Sequence, residues 1–201
     1  MAKRIAYLII AAALALYAGA ASAQSLTLSQ ISGYLNQMET AKGSFTQINS
    51  DGSLATGQIY IKRPGRIRFE YNPPARSLVL ASAGTVAIFD PRSNTGPEQY
   101  PLSRTPLSIL LRRNVDLENE NMVRNIVSDG ETTTVTALDP ENPDYGSIQL
   151  VFSADPIMLR QWIVTDDLGT QTTTVLNDLE VGTPINSVLF NIQQEISKQG
   201  N

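Results

Sequence analysis

Lys62, Arg63, Arg66 and Arg68 crowd around one Arg-Pro-Gly turn in a chain that is otherwise acidic. Arg63 sits at the turn itself beside Pro64, where its guanidinium donors can reach neighbouring backbone carbonyls. Lys62, Arg66 and Arg68 alternate with apolar residues and are expected on the wet outer face of a hairpin. Acidic groups gather twice, in Asp139-Pro140-Glu141-Asn142-Pro143-Asp144 and in Asp116, Glu118 and Glu120. Calcium takes such oxygens, but EF-hand spacing and its glycine are missing, and two prolines suit a solvated turn. No Ser-x-x-Lys pair occurs after residue 23, so serine–lysine hydrolysis lacks its motif.

Most catalytic chemistry has no residues to run on. The 201 residues include no histidine and no cysteine. That removes the commonest general base and metal ligand, every Ser–His–Asp triad, every thiolate nucleophile and any disulfide frame. A carboxylate pair for hydrolysis is left, since such pairs meet in space rather than in sequence. No catalytic residue, metal site or cofactor is assigned.

The first residues point to export. Lys3 and Arg4 precede an apolar run from Ile5 to Ala18, and Ala21-Ser22-Ala23 gives the small-x-small pattern of a cleavage site. The expected organisation is a cleaved signal peptide over 1–23 and a single domain over 24–201. Removing 1–23 takes away two basic residues and no acid, which leaves 13 basic against 19 acidic side chains and a charge of −6. Nucleic acid is a poor partner for such a surface, and an anionic membrane repels it.

The elements that must position these residues are a helix and then hairpins. Leu28, Ile31, Leu35 and Met38 recur at helical spacing, with Thr27 and Gln30 as a capping box and Gly43 as a stop. Ile59 and Ile61 alternate with polar neighbours, the chain turns at Arg63-Pro64-Gly65, and Ile67, Phe69 and Tyr71 alternate in return. Strands are expected at 77–81 and 85–90, apolar enough to be covered on more than one side. A short second helix is expected from Pro106, capped by Thr105 and carrying Leu107, Leu110 and Leu111. Strand rhythm then resumes from Val123 to Asp178, which argues an antiparallel sandwich or barrel.

Three segments in this order resemble the LolA family of periplasmic lipoprotein carriers: Phe45-Thr46-Gln47; Gly57-Gln58-Ile59-Tyr60-Ile61-Lys62-Arg63-Pro64-Gly65-Arg66-Ile67-Arg68-Phe69; and Thr105-Pro106-Leu107 before a leucine run. The match is dense from Leu28 to Leu111, and no functional residue is carried beyond Thr183. The resemblance implies a mainly β fold: a curved antiparallel unclosed β-barrel, or half-barrel, covered by a few α-helices. It implies an apolar cavity for acyl chains between sheet and helices. Acylated lipoproteins would arrive from the inner-membrane ABC transporter LolCDE and leave to the outer-membrane receptor LolB, carried in the periplasm by a monomer. Arg63 matches the arginine that holds the family's lid helices shut.

On that reading Ile59, Ile61, Ile67, Phe69, Leu78, Leu80, Val86 and Ile88 are the expected cavity lining. Leu28, Ile31, Leu35, Leu107, Leu110 and Leu111 are the expected lid face. A ~16-carbon chain costs ~12 kcal/mol to expose, at ~0.8 kcal/mol per methylene, so a carrier must shield it. The rival readings are a related half-barrel that senses lipid or lipoprotein, a carboxylate-based hydrolase, and a structural envelope protein with a filled core.

Overall fold

Local chemistry starts the first helix. The computed structural model describes residues 25–199, so the expected leader over 1–23 lies outside the described residues. The Thr27 hydroxyl accepts from the Gln30 N–H at 3.2 Å, and Gln30 Oε1 accepts from the Thr27 N–H at 2.9 Å. This reciprocal pair satisfies N–H groups that a helix start leaves free, and α1 (Leu28–Gln37) follows. Met38 closes the helix, not Gly43. Gly43 is needed inside the next strand, because a Cβ there would press into the Asp178 carbonyl.

Successive hairpins build one side of the sheet: β1 (Thr40–Ile48), β2 (Leu54–Lys62), β3 (Arg66–Tyr71), β4 (Leu78–Ser82), β5 (Thr85–Phe89) and β6 (Glu98–Pro101). The chain then crosses through the single helical turn α2 (Leu107–Leu110) and a long connection. Thr105 does not cap α2; its hydroxyl donates to the Leu102 carbonyl instead. The second side comprises β7 (Val123–Ser128), β8 (Thr132–Ala137), β9 (Ser147–Ala154), β10 (Ile157–Thr165) and β11 (Gln171–Leu176). Strand β11 pairs with β1, so the order is β6-β5-β4-β3-β2-β1-β11-β10-β9-β8-β7, and β12 (Glu180–Val181) extends the β1 pairing. All pairings are antiparallel, and the path ends at β6 and β7 without closing. The fold is the expected unclosed half-barrel.

Two apolar clusters lie on opposite faces of this sheet. The larger joins the inner face to α1, α2 and the connection after α2. The smaller sits outside, where Ile185, Leu189, Phe190, Ile192 and Ile196 of the C-terminal segment, ending in α3 (Ile192–Gln199), cover Leu78, Leu80, Ala87 and Phe89. The outer face here is therefore not wet. Arg68 is only 7% exposed, ion-paired to Glu70 and Glu195 and donating to the Leu189 carbonyl at 2.9 Å. Lys62 Nζ reaches the Ile185 carbonyl at 2.7 Å and the Ser187 hydroxyl at 2.8 Å. Alternation tells which residues avoid the inner core; it does not tell what covers the other side.

Candidate functional site: the inner face and its lid

Antiparallel register decides which side chains share the inner face. Ile59 pairs with Phe69 and Ile61 with Ile67; Ile67 in turn opposes Ala81, and Ala81 opposes Val86. Partners across a ladder point to the same side, so these residues form one apolar row, all buried. Ile88 extends it opposite Val79 and is half-buried. Aromatic rings fill the middle of the face. Phe45 meets Phe69 and Tyr71 edge-on at 5.3 and 5.2 Å, and Phe69 meets Trp162 edge-on at 6.2 Å. Gly57 makes room for the Phe45 ring, since a Cβ at that position would touch both it and the Glu70 carbonyl. The Tyr71 hydroxyl donates to Gln47 Oε1 at 2.6 Å. Burial pushes its pKa up to about 12, with the Gln47 bond opposing only in part.

The lid packs directly onto this surface. From α1 come Ile31 and Leu35, with Leu28 partly buried; from α2 and the residue after it come Ile109, Leu110 and Leu111, with Leu107 partly buried. Val115, Leu117 and Met122 complete the cover. None of the eight fully buried lid residues is more than 2% exposed. The space expected to be an apolar cavity is thus filled by the lid's own side chains.

One turn holds the lid at its end. Arg63 is 7% exposed, and its Nε and Nη2 both donate to the Arg112 carbonyl, at 3.1 and 2.6 Å. The Gly65 N–H donates to the Leu111 carbonyl at 2.8 Å, and the Arg63 N–H donates to the Glu39 carbonyl at 2.8 Å. The β2–β3 turn therefore grips the end of α2 and the chain just after α1 together. Burial lowers the Arg63 pKa, and no carboxylate among the described residues lies within ion-pair distance to oppose that. The charge rests on a carbonyl, which is a weaker partner than a carboxylate. Elsewhere along the lid, the Arg104 guanidinium sits 5.7 Å over the Tyr145 ring.

Residues 36–193 match the family model for outer membrane lipoprotein carrier protein LolA. The chain belongs to the LolA family. It is similar to the outer-membrane lipoprotein carrier protein of Coxiella burnetii, 26% identical over 181 residues that cover 86% of this chain and 85% of that one. The carrier protein of the same name from Pseudomonas aeruginosa is 25% identical over 198 residues, 93% of each chain. A provisionally named outer membrane lipoprotein-sorting protein domain from Vibrio parahaemolyticus shares the fold, with a TM-score of 0.50 at 11% identity, covering 83% of this chain and 96% of that domain.

Within this LolA-family chain the structure gathers most of the residues expected at the site. Ile59, Ile61, Ile67, Phe69, Val86 and Ile88 share the inner face, and Leu28, Ile31, Leu35, Leu107, Leu110 and Leu111 pack over it. Leu78 and Leu80 do not. They oppose Phe89 and Ala87 on the outer face and lie under the C-terminal segment, so they are removed from the lining. The reason is parity: β4 is apolar at Leu78, Val79, Leu80 and Ala81, and Val79 and Ala81 are the pair that points inward. The inner face also carries Phe45, Tyr71 and Trp162, which the sequence expectation does not include. Tyr71 could have been found, because it continues the Ile67–Phe69 alternation; Trp162 depends on the β10–β11 register and had no local signal.

Proposed function

We propose that this protein carries acylated lipoproteins through the periplasm by exchanging its own lid side chains for acyl chains on the inner face. The observation that carries the reading is a largely apolar sheet face, interrupted by Gln47, Thr133 and Thr174 and covered by a lid held at its end through Arg63. Cargo and lid compete for one surface. A ~16-carbon chain is worth ~12 kcal/mol when buried, while the lid returns a comparable kind of apolar contact when the cargo leaves. Loading and unloading then run close to balance, which suits a carrier that must give up what it binds.

Lid-face residues Leu28, Ile31, Leu35, Leu107, Leu110 and Leu111 are the surfaces that cargo displaces, and Arg63 is the latch of the closed state. The mature carrier is the single domain from residue 24 onward, exported by a leader cleaved after Ala23. Its donor is LolCDE and its acceptor is LolB. In this reading no acid–base step occurs, so the absence of histidine and cysteine costs nothing. The test is a titration of the purified mature protein with a fluorescent diacylated lipopeptide. One-to-one saturable binding supports the carrier, and no binding by protein with an intact fold overturns it.

A further inference from the structure

Ser32 and Asn36 lie four residues apart on α1, so they form a stripe beside the buried stripe of Ile31 and Leu35. Both reach the connection that follows α2. Asn36 Nδ2 donates to the Val115 carbonyl at 2.9 Å, and Asn36 Oδ1 accepts from the Val115 N–H at 2.9 Å. The Ser32 hydroxyl accepts from the Leu117 N–H at 3.1 Å. Val115 and Leu117 are themselves buried against the sheet. The helix therefore carries the backbone of 115–117 as a neighbouring strand would, while the side chains of that segment plug the core.

The latch is next to this zipper. Asn36, Glu39, Arg63, Pro64, Arg113 and Asn114 line one cleft of about 420 Å³. Among the described residues the Arg63 side chain bonds only the Arg112 carbonyl, which belongs to the segment after α2. Its link to the α1 side among the described residues is through its backbone N–H, on the Glu39 carbonyl, and a leucine at position 63 keeps that link. How the Arg63 side chain could govern α1 is therefore a real question, and Asn36 answers it.

We propose that Asn36 is a positioning residue of the carrier cycle: by satisfying both backbone groups of Val115 it makes α1 and residues 112–117 one lid body, so that the Arg63 latch on Arg112 controls both at once. The cyclic amide pair favours joint motion, because separating α1 from Val115 frees a donor and an acceptor together, each costly to leave unmet near the core. The inference rests on the carrier reading for its purpose and not for its test.

Hydrogen exchange on the cargo-free protein measures the coupling. Arg63→Leu is expected to speed exchange of the α1 amides and of Leu117 alike, by about tenfold or more for loss of a charge-assisted bond. In the Asn36→Ala background the same substitution should still speed Leu117 and should leave α1 within about twofold. Equal acceleration of α1 with and without Asn36 overturns the proposal. Should Asn36→Ala fold poorly, Asn36→Asp keeps the acceptor for the Val115 N–H and loses the donor, and it is read by the same comparison. Ser32→Ala keeps the amide pair and should leave α1 coupled to the latch; uncoupling by Ser32→Ala also counts against Asn36. Lipopeptide binding reports separately on the carrier reading, so its failure does not touch the exchange result.

Discussion

Arg63→Leu probes the closed state directly. The substitution removes two N–H donors from the Arg112 carbonyl and keeps the backbone bonds of the turn to Glu39 and Leu111. A hydrogen bond from a charged group contributes about 1.5–3 kcal/mol. Burial opposes it, because a guanidinium facing only a carbonyl is partly desolvated, as its lowered pKa shows. A net loss of about 2 kcal/mol from the closed state follows, which is roughly a 30-fold shift toward open protein. Where the open fraction is small, apparent affinity for an apolar ligand rises by the same factor. The assay is equilibrium binding of a diacylated fluorescent lipopeptide, paired with its release rate to acceptor vesicles containing the receptor. The variant should bind up to about 30-fold more tightly and release more slowly, with Arg63→Lys in between because it keeps a charge and fewer donors. Binding and release within twofold of the parent protein, with the fold intact, would refute the latch.

The remaining predictions concern the sheet and its outer cover. Leu80→Ala should lower unfolding stability by about 2–5 kcal/mol while leaving lipopeptide affinity unchanged, because Leu80 faces the C-terminal segment; Ile59→Ala should change both, as read by urea unfolding and titration. Gly57→Ala should cost about 3 kcal/mol or more in the same unfolding assay, since its Cβ meets the Glu70 backbone and the Phe45 ring. Burial raises the Glu195 carboxyl pKa, but Lys198 and Arg68 together outweigh that and hold it below its ordinary value. A depressed carboxylate stabilises fully above its unfolded pKa and loses that contribution as pH falls through the folded one. Limited proteolysis should therefore release α3 more readily once the pH falls below the ordinary carboxylate range, and Glu195→Gln should remove the Glu195 part of that dependence.

Where one face of a strand differs from the other, the sequence was enough. Gln58, Tyr60 and Lys62 contrast with Ile59 and Ile61, so the parity of β2 and β3 was readable, as was the Thr27–Gln30 box. Strand β4 offers no such contrast, and period two cannot choose between Leu78–Leu80 and Val79–Ala81. Only the C-terminal segment, over 90 residues away in sequence, makes the outer choice apolar. The same distance hid Arg68, which avoids the inner core as expected and is buried all the same. Strand β6 is short, polar and ends in proline, so it carries no hydrophobic period at all. Arg63 was legible as a donor at a turn, but its acceptor, 49 residues on, was not.

The sheet that ends at β6 and β7 has a consequence for how much it can hold. A closed barrel fixes its circumference through an unbroken ring of ladder hydrogen bonds, and widening it means rupturing a seam. Here the span between the two terminal strands is bridged by side-chain contacts and the lid, not by a ladder. An unclosed sheet can flex about its strands and keep every backbone bond, because no seam has to rupture. In the carrier proposed above, that freedom would let one sheet fit chains of differing length and number, without a separate pocket shaped for each.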